Sequence, residues 1–124
     1  MSREIKFRGF SKRDKNWHWG YFRVAPDDTH FIQERVAITH FADYEVVPES
    51  VGMSAGQPDK NGVEIFGSIP INGKMSRGGD IVNDQDGKVI FLGSKFLIHY
   101  EKDEWEDIYG AMDEITGKQY EEGK

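Results

Sequence analysis

The chain has 124 residues, a formal net charge of −6, 37% apolar and 31% charged residues, and no cysteine. One domain or two small lobes fit that length, and disulfide scaffolds, zinc ribbons and cysteine nucleophiles are excluded. The 13% aromatic content supplies bulk for a core. No apolar run approaches the roughly 20 residues that span a bilayer. Met1 to Lys6 has no apolar segment behind its basic residues, unlike a secretion signal. The expectation is a protein of a reducing cytoplasm with no membrane contact.

Strand signals dominate in chain order. Glu4 to Arg8 alternates charged and apolar residues, as a half-buried strand does. Ser11 to Asn16 reads as a turn, and the aromatic Trp17 to Val24 as the second strand of an N-terminal hairpin. His30 to Ile38 predicts a third strand, with Gln33-Glu34-Arg35 as a wet face or a turn. Tyr44 to Val47 is a short extended piece ending at Pro48. Asn61-Gly62, Asn72-Gly73 and Asp86-Gly87 suit type I′ turns, whose central residues need positive φ. Residues 79–100 therefore read as a three-stranded meander, with Gly78-Gly79 allowing a tight bend before Asp80. Beyond 100 the pattern is ambiguous. Trp105, Ile108, Tyr109 and Met112 have helical spacing, yet Glu106, Ile108, Gly110 and Met112 alternate like a strand. The predicted fold is mainly β. An N-terminal β-hairpin lobe (1–48) precedes an SH3-like small barrel or roll (49–118). A short α or β segment lies near the C-terminus, and 119–124 form a frayed tail.

Catalytic and metal motifs are scarce. His18, His30, His40 and His99 form no His-x-His or His-Glu-x-x-His pair, and each reads as a structural or surface residue. Asp84-Gln85-Asp86-Gly87 resembles part of a calcium loop, but its first ligand position falls on Val82 and its twelfth on Gly93. Gly73 to Gly78 lacks the Gly-Lys-Ser/Thr ending of a P-loop. The acids cluster in a wet segment, unsuited to general acid catalysis. No catalytic residue, metal site or cofactor is expected.

Charge is uneven. Residues 1–23 carry seven Lys/Arg against two acids, and residues 101–124 carry three Lys against nine acids. Trp17, Trp19, Tyr21 and Arg23 share one face of the second strand, beside Lys12, Arg13 and Lys15 in the turn. Such a basic aromatic surface suits either a core or subunit interface, or a platform on which bases stack. These seven residues are the candidate binding surface.

Arg3-Glu4-Ile5-Lys6-Phe7-Arg8-Gly9-Phe10 and Lys15-Asn16-Trp17-His18-Trp19-Gly20 resemble the opening of the YopX-like phage and prophage proteins. Glu49-Ser50-Val51-Gly52, Gly56 to Phe66, Gly79-Asp80-Ile81-Val82 and Gly87 to Phe91 are similar to that family's central stretch, in the same order. The match covers residues 3–24 and 49–100. It departs at Gly67 to Gly78, which stands as an insert, and residues 25–48 match little. The family pattern's C-terminal segment is only faintly visible at Ile108 to Glu114. The resemblance implies a mainly β protein with an SH3-like barrel in its second half, a phage or prophage origin and a bacterial cytoplasm. Some members of the family are oligomeric, and none supplies catalytic residues to carry over. Within the insert, Ile69 to Met75 is expected as an exposed, dispensable hairpin turned by Asn72-Gly73. The sequence predicts a binding protein that forms a homo-oligomer, with a phage or host protein as a further partner. Nucleic acid binding by the basic hairpin is the alternative, and a small β-barrel enzyme the second alternative.

Overall fold

The computed structural model describes residues 6–83, 87–100, 104–108 and 113–121. Thirteen strands are present among them: β1 (Phe7–Ser11), β2 (Asn16–Val24), β3 (His30–Ala37), β4 (His40–Glu45), β5 (Gly52–Pro58), β6 (Glu64–Ser68), β7 (Pro70–Ile71), β8 (Lys74–Met75), β9 (Asp80–Val82), β10 (Gly87–Leu92), β11 (Lys95–His99), β12 (Trp105–Asp107) and β13 (Ile115–Lys118). One 3₁₀ turn (Pro48–Ser50) separates β4 from β5. The fold is mainly β, as expected. Eleven of these strands join one curled, open sheet in the order β12-β11-β10-β6-β5-β1-β2-β3-β4, with β9 beside β10 and β13 beside β9.

The hairpin lies further along than its alternation suggests. Phe7 pairs with Gly20 and Ser11 with Asn16, so β1 runs to Ser11 and Lys15 turns the chain at a φ of 60°. β2 then changes partner. Its first half pairs with β1, and from Tyr21 to Val24 it pairs with β3. Gly20 sits at the change, where a Cβ would overlap the Gln33 carbonyl. Only a residue without a side chain lets β3 approach there. Gln33-Glu34-Arg35 is neither a turn nor a loop but the middle of β3, paired with Phe41, Ala42 and Asp43.

The sheet runs across residue 48 without a break, because β1 pairs with β5 through Phe7–Met53 and Arg8–Gly52. Two apolar clusters fill it. Ile32, Val46, Val51 and Ile69 form one with Phe7, Phe22 and Met53. Ile65, Val82, Val89, Ile98 and Tyr100 form the other. Between them lies a buried ion pair. Arg8 Nη2 donates to Asp80 Oδ1 at 2.8 Å and Arg8 Nε to the Gly78 carbonyl at 3.0 Å. The second Asp80 oxygen accepts the Phe66 N–H at 2.8 Å. Arg8 is 4% exposed and Asp80 1%. The guanidinium lies 4.7 Å from the Phe66 ring centre and 5.2 Å from that of Trp17. Burial pulls its pKa down, while Asp80 and Glu64 oppose the shift. An arginine that reads as the wet side of an alternating strand is thus the stitch between the first strand and β9.

The bend expected before Asp80 is present at Gly79, without a positive φ, and two further expectations change. A Cβ on Gly78 would overlap the Val51–Gly52 backbone, and one on Gly79 would sit 2.5 Å from Ser68 N and Val89 O, so both glycines allow backbones to cross. The insert forms the expected hairpin β7–β8, with Asn72 and Gly73 at positive φ. Its base is not exposed, however. Ser68 and Ser76 are buried, and Ile69 packs in the first cluster. Ser76 Oγ donates to the Val51 carbonyl at 2.5 Å and accepts the Ile69 N–H at 3.0 Å. Finally, Gln119 and Tyr120 are not frayed. Gln119 Nε2 donates to the Asp80 and Val89 carbonyls at 3.1 and 3.0 Å, and Tyr120 packs on Phe10 and Trp17. Trp105 lies in a strand that pairs with His99 rather than in a helix. Tyr109 and Met112, which complete the helical spacing, lie outside the described residues, as do Asp84 to Asp86 of the calcium-like turn.

Candidate functional site

The seven candidate residues do not form one surface. Trp17 is packed, edge-on to Phe10 and Tyr120, with Arg8 and Lys118 over its ring. Trp19 and Tyr21, two and four residues on along the same face of β2, are 41% and 46% exposed. Arg23 continues that face. Its Nη2 donates to Asp43 Oδ2 at 3.0 Å, and its guanidinium lies 4.7 Å over the Phe31 ring. Lys12, Arg13 and Lys15 belong to the β1–β2 turn, where Lys15 N–H closes the loop onto the Ser11 carbonyl at 2.8 Å.

Cross-strand pairing extends the aromatic face over three strands, because directly opposed residues point the same way. Tyr21 opposes Gln33 and then Asp43, Arg23 opposes Phe31 and then Glu45, and Arg35 opposes Phe41. The face therefore carries Trp19, Tyr21, Phe31 and Phe41 with two arginines and two carboxylates. Phe41 is 50% exposed, and Ile38 in the turn between β3 and β4 is 83% exposed. β4 lies at the end of the sheet order, an edge strand.

The opposite face of β2 turns inward and holds a polar cluster. His18 stacks on Tyr44 with ring centres 3.5 Å apart and planes at 8°. Its Nε2 lies 2.8 Å from Asp14 Oδ2, and its Nδ1 lies 3.3 Å from Glu34 Oε1. Asp14 is held below the usual carboxylate range. Desolvation works against that shift, but hydrogen bonds from His18, the Asn16 N–H and Ser11 outweigh it. The two carboxylates sit on opposite ring nitrogens, so they do not converge on a common point. Among the described residues no group of three or more His, Asp or Glu is arranged to hold a metal ion. His18 locks the β1–β2 turn to β3 and β4.

That lock shapes a cleft. Ser11, Lys12, Arg13 and Asp14 form one wall, and Asp43, Tyr44 and Glu45 the other. Phe31, Val46, Val47 and Pro48 complete an apolar floor, and the cleft encloses about 870 Å³. Sequence reasoning picked out the basic turn but not the acidic and aromatic wall facing it. Residues 40–48 carry no motif, and their relation to residues 11–14 follows only from the curl of the sheet. Comparison of the chain with family models, with curated proteins and with solved structures finds no match. Among the described residues no helix is long and apolar enough to cross a membrane.

Proposed function

We propose that the chain is a β-rich binding protein that acts by self-association through the outer face of β2, β3 and β4, rather than by catalysis. The observation that carries this reading is the exposure of Trp19, Tyr21, Phe41 and Ile38 on one small surface beside an unpaired strand edge. Large apolar side chains grouped this way mark interfaces on soluble domains. The charges around them are balanced. Arg23 and Arg35 stand against Asp43 and Glu45, a pattern that can complement a second copy of itself across a two-fold axis. A phosphate backbone, by contrast, favours an excess of cations, which is why a homo-oligomer is preferred here to nucleic acid. Against a catalytic reading, both His18 nitrogens are engaged by carboxylates. The resemblance to YopX-like phage and prophage proteins belongs to the same proposal, with a bacterial cytoplasm as the setting and a phage or host protein as a further partner.

Sedimentation velocity at tens of micromolar, about the range of a modest interface, tests the reading. The wild type should sediment as an oligomer, and Trp19→Ser with Phe41→Ser should give a folded monomer. A wild-type monomer, or an oligomer untouched by both changes, refutes it. Salt-dependent retardation of an oligonucleotide that is lost with Trp19→Ser would instead favour the stacking platform.

A further inference from the structure

One wall of the cleft beside the β1–β2 turn is the outer edge of β4, with which no described strand pairs. Val46 N–H donates inward to the His30 carbonyl at 2.9 Å, whereas Val47 N–H donates outward to the Phe10 carbonyl at 3.0 Å. Backbone groups of an antiparallel strand alternate in this way. The N–H and C=O groups of Asp43 and Glu45 therefore aim away from β3, along the cleft. At Val47 the Phe10 carbonyl of β1 takes the outward N–H. Before it, no described strand pairs with the edge.

The side chains around this edge are not equally committed. Asp14 is engaged by His18 and Asp43 by Arg23. Lys12, Arg13 and Glu45 form no ion pair among the described residues. The side chains of the lining with no ion-pair partner are thus two cations on the turn and one carboxylate on the strand. Phe31, Val47 and Pro48 offer apolar contact between them.

We propose that this cleft binds an extended acidic peptide segment of a partner protein. The segment adds to the outer edge of β4 as a further strand, hydrogen-bonded to the Asp43 and Glu45 backbone. Its apolar side chains rest on the floor, and its carboxylates meet Lys12 and Arg13. Strand addition supplies affinity through main-chain bonds and specificity through alternate side chains. Nucleic acid makes poor use of the site, because it has no peptide edge to pair.

The probe is a fluorescein-labelled decapeptide of alternating Val and Glu, titrated by anisotropy against the full chain. An alternating Val and Lys peptide and a labelled oligothymidylate serve as comparisons. The Val/Glu peptide should bind saturably. Lys12→Glu with Arg13→Glu should weaken it about tenfold or more, since two attractions become repulsions. Glu45→Pro removes one outward N–H at an edge position where proline is tolerated, and it should weaken binding comparably. Circular dichroism checks the fold of each variant, and the surface pair Lys12 and Arg13 decides the matter if Glu45→Pro does not fold. Absence of saturable Val/Glu binding, equal affinity in the charge-reversed variant, or preferential binding of the oligothymidylate overturns the proposal. Lys12 and Arg13 lie outside the self-association face, so their charge reversal tests the cleft alone, and sedimentation reads self-association separately through Trp19 and Phe41.

Discussion

Removing one member of the Arg8–Asp80 pair should be among the most damaging single changes in the described fold. Arg8→Met keeps most of the side-chain volume between Trp17 and Phe66 but leaves the Asp80 carboxylate, 1% exposed, without its cation. It also orphans the Gly78 carbonyl. Breaking a buried pair in this manner costs about 3–5 kcal/mol, because the remaining charge stays desolvated. Domains of this size have a stability of about 5–15 kcal/mol in total. The loss is thus a large share, and it lowers Tm by roughly 10–20 °C. Asp80→Asn should cost a similar amount, since the amide can still accept from the Phe66 N–H but no longer balances Arg8. The double change Arg8→Met with Asp80→Leu should recover part of the loss. It removes both charges but leaves the Phe66 N–H and the Gly78 carbonyl unsatisfied, each worth about 1–3 kcal/mol. Urea unfolding followed by tryptophan fluorescence and far-ultraviolet circular dichroism reads all four proteins at constant slope. A single variant within about 1 kcal/mol of the wild type would mean that water reaches the pair, and the reasoning from burial would fail.

His30→Phe should stabilise the fold by about 1–3 kcal/mol in the same urea assay, because both ring nitrogens are buried without a partner among the described residues and the ring already stacks on Phe22. Asp59 accepts the Ile115 N–H on one oxygen and the Asn61 and Val63 N–H groups on the other, and these bonds hold its pKa below the usual carboxylate range against some desolvation. Its folded pKa lies below the unfolded one. The stabilisation is therefore complete above the unfolded value of about 4 and is lost as pH falls through the folded value. Asp59→Ala should flatten the decline of the urea midpoint across that acid range. Deleting residues 68–77 should abolish cooperative thermal unfolding, whereas shortening only the 71–74 tip should leave it, since the buried Ser68, Ile69 and Ser76 lie in the base.

Local pattern carries the strands and turns but not their partners. The aromatic alternation of Trp17 to Val24 and the Asn72-Gly73 dipeptide specify backbone conformations over a few residues, and the structure has β2 and the β7–β8 turn there. Arg8 misleads because its partner lies 72 residues away, so alternation alone assigns it to water. Gly78 and Gly79 are half legible for a related reason: the pair marks a bend, but the close backbone approach that excludes a side chain there comes from residues 51–52, 68 and 89. Tyr120 and Gln119 sit in a polar stretch with no period, yet distant backbone carbonyls and rings hold them. At the candidate site, Lys12, Arg13, Trp19 and Tyr21 were legible as charge and periodicity. The Asp43–Glu45 edge was not, because a strand becomes an edge only through the order of the whole sheet.

The position of β1 also sets a schedule for synthesis. Although it is the first described strand in the chain, it ends in the interior of the sheet, between β2 and β5. Its hairpin partner emerges from the ribosome at once, but Met53 follows much later and Asp80 later still. At about 5–20 residues per second, the 72 residues between Arg8 and Asp80 take roughly 4–14 s to appear. Until β5 emerges the nascent hairpin presents an unpaired strand edge, and throughout the interval it carries an arginine without its counter-ion. Such an edge invites pairing with neighbouring nascent chains, so the yield of folded protein should depend on chaperone capacity and on the spacing of ribosomes along the message.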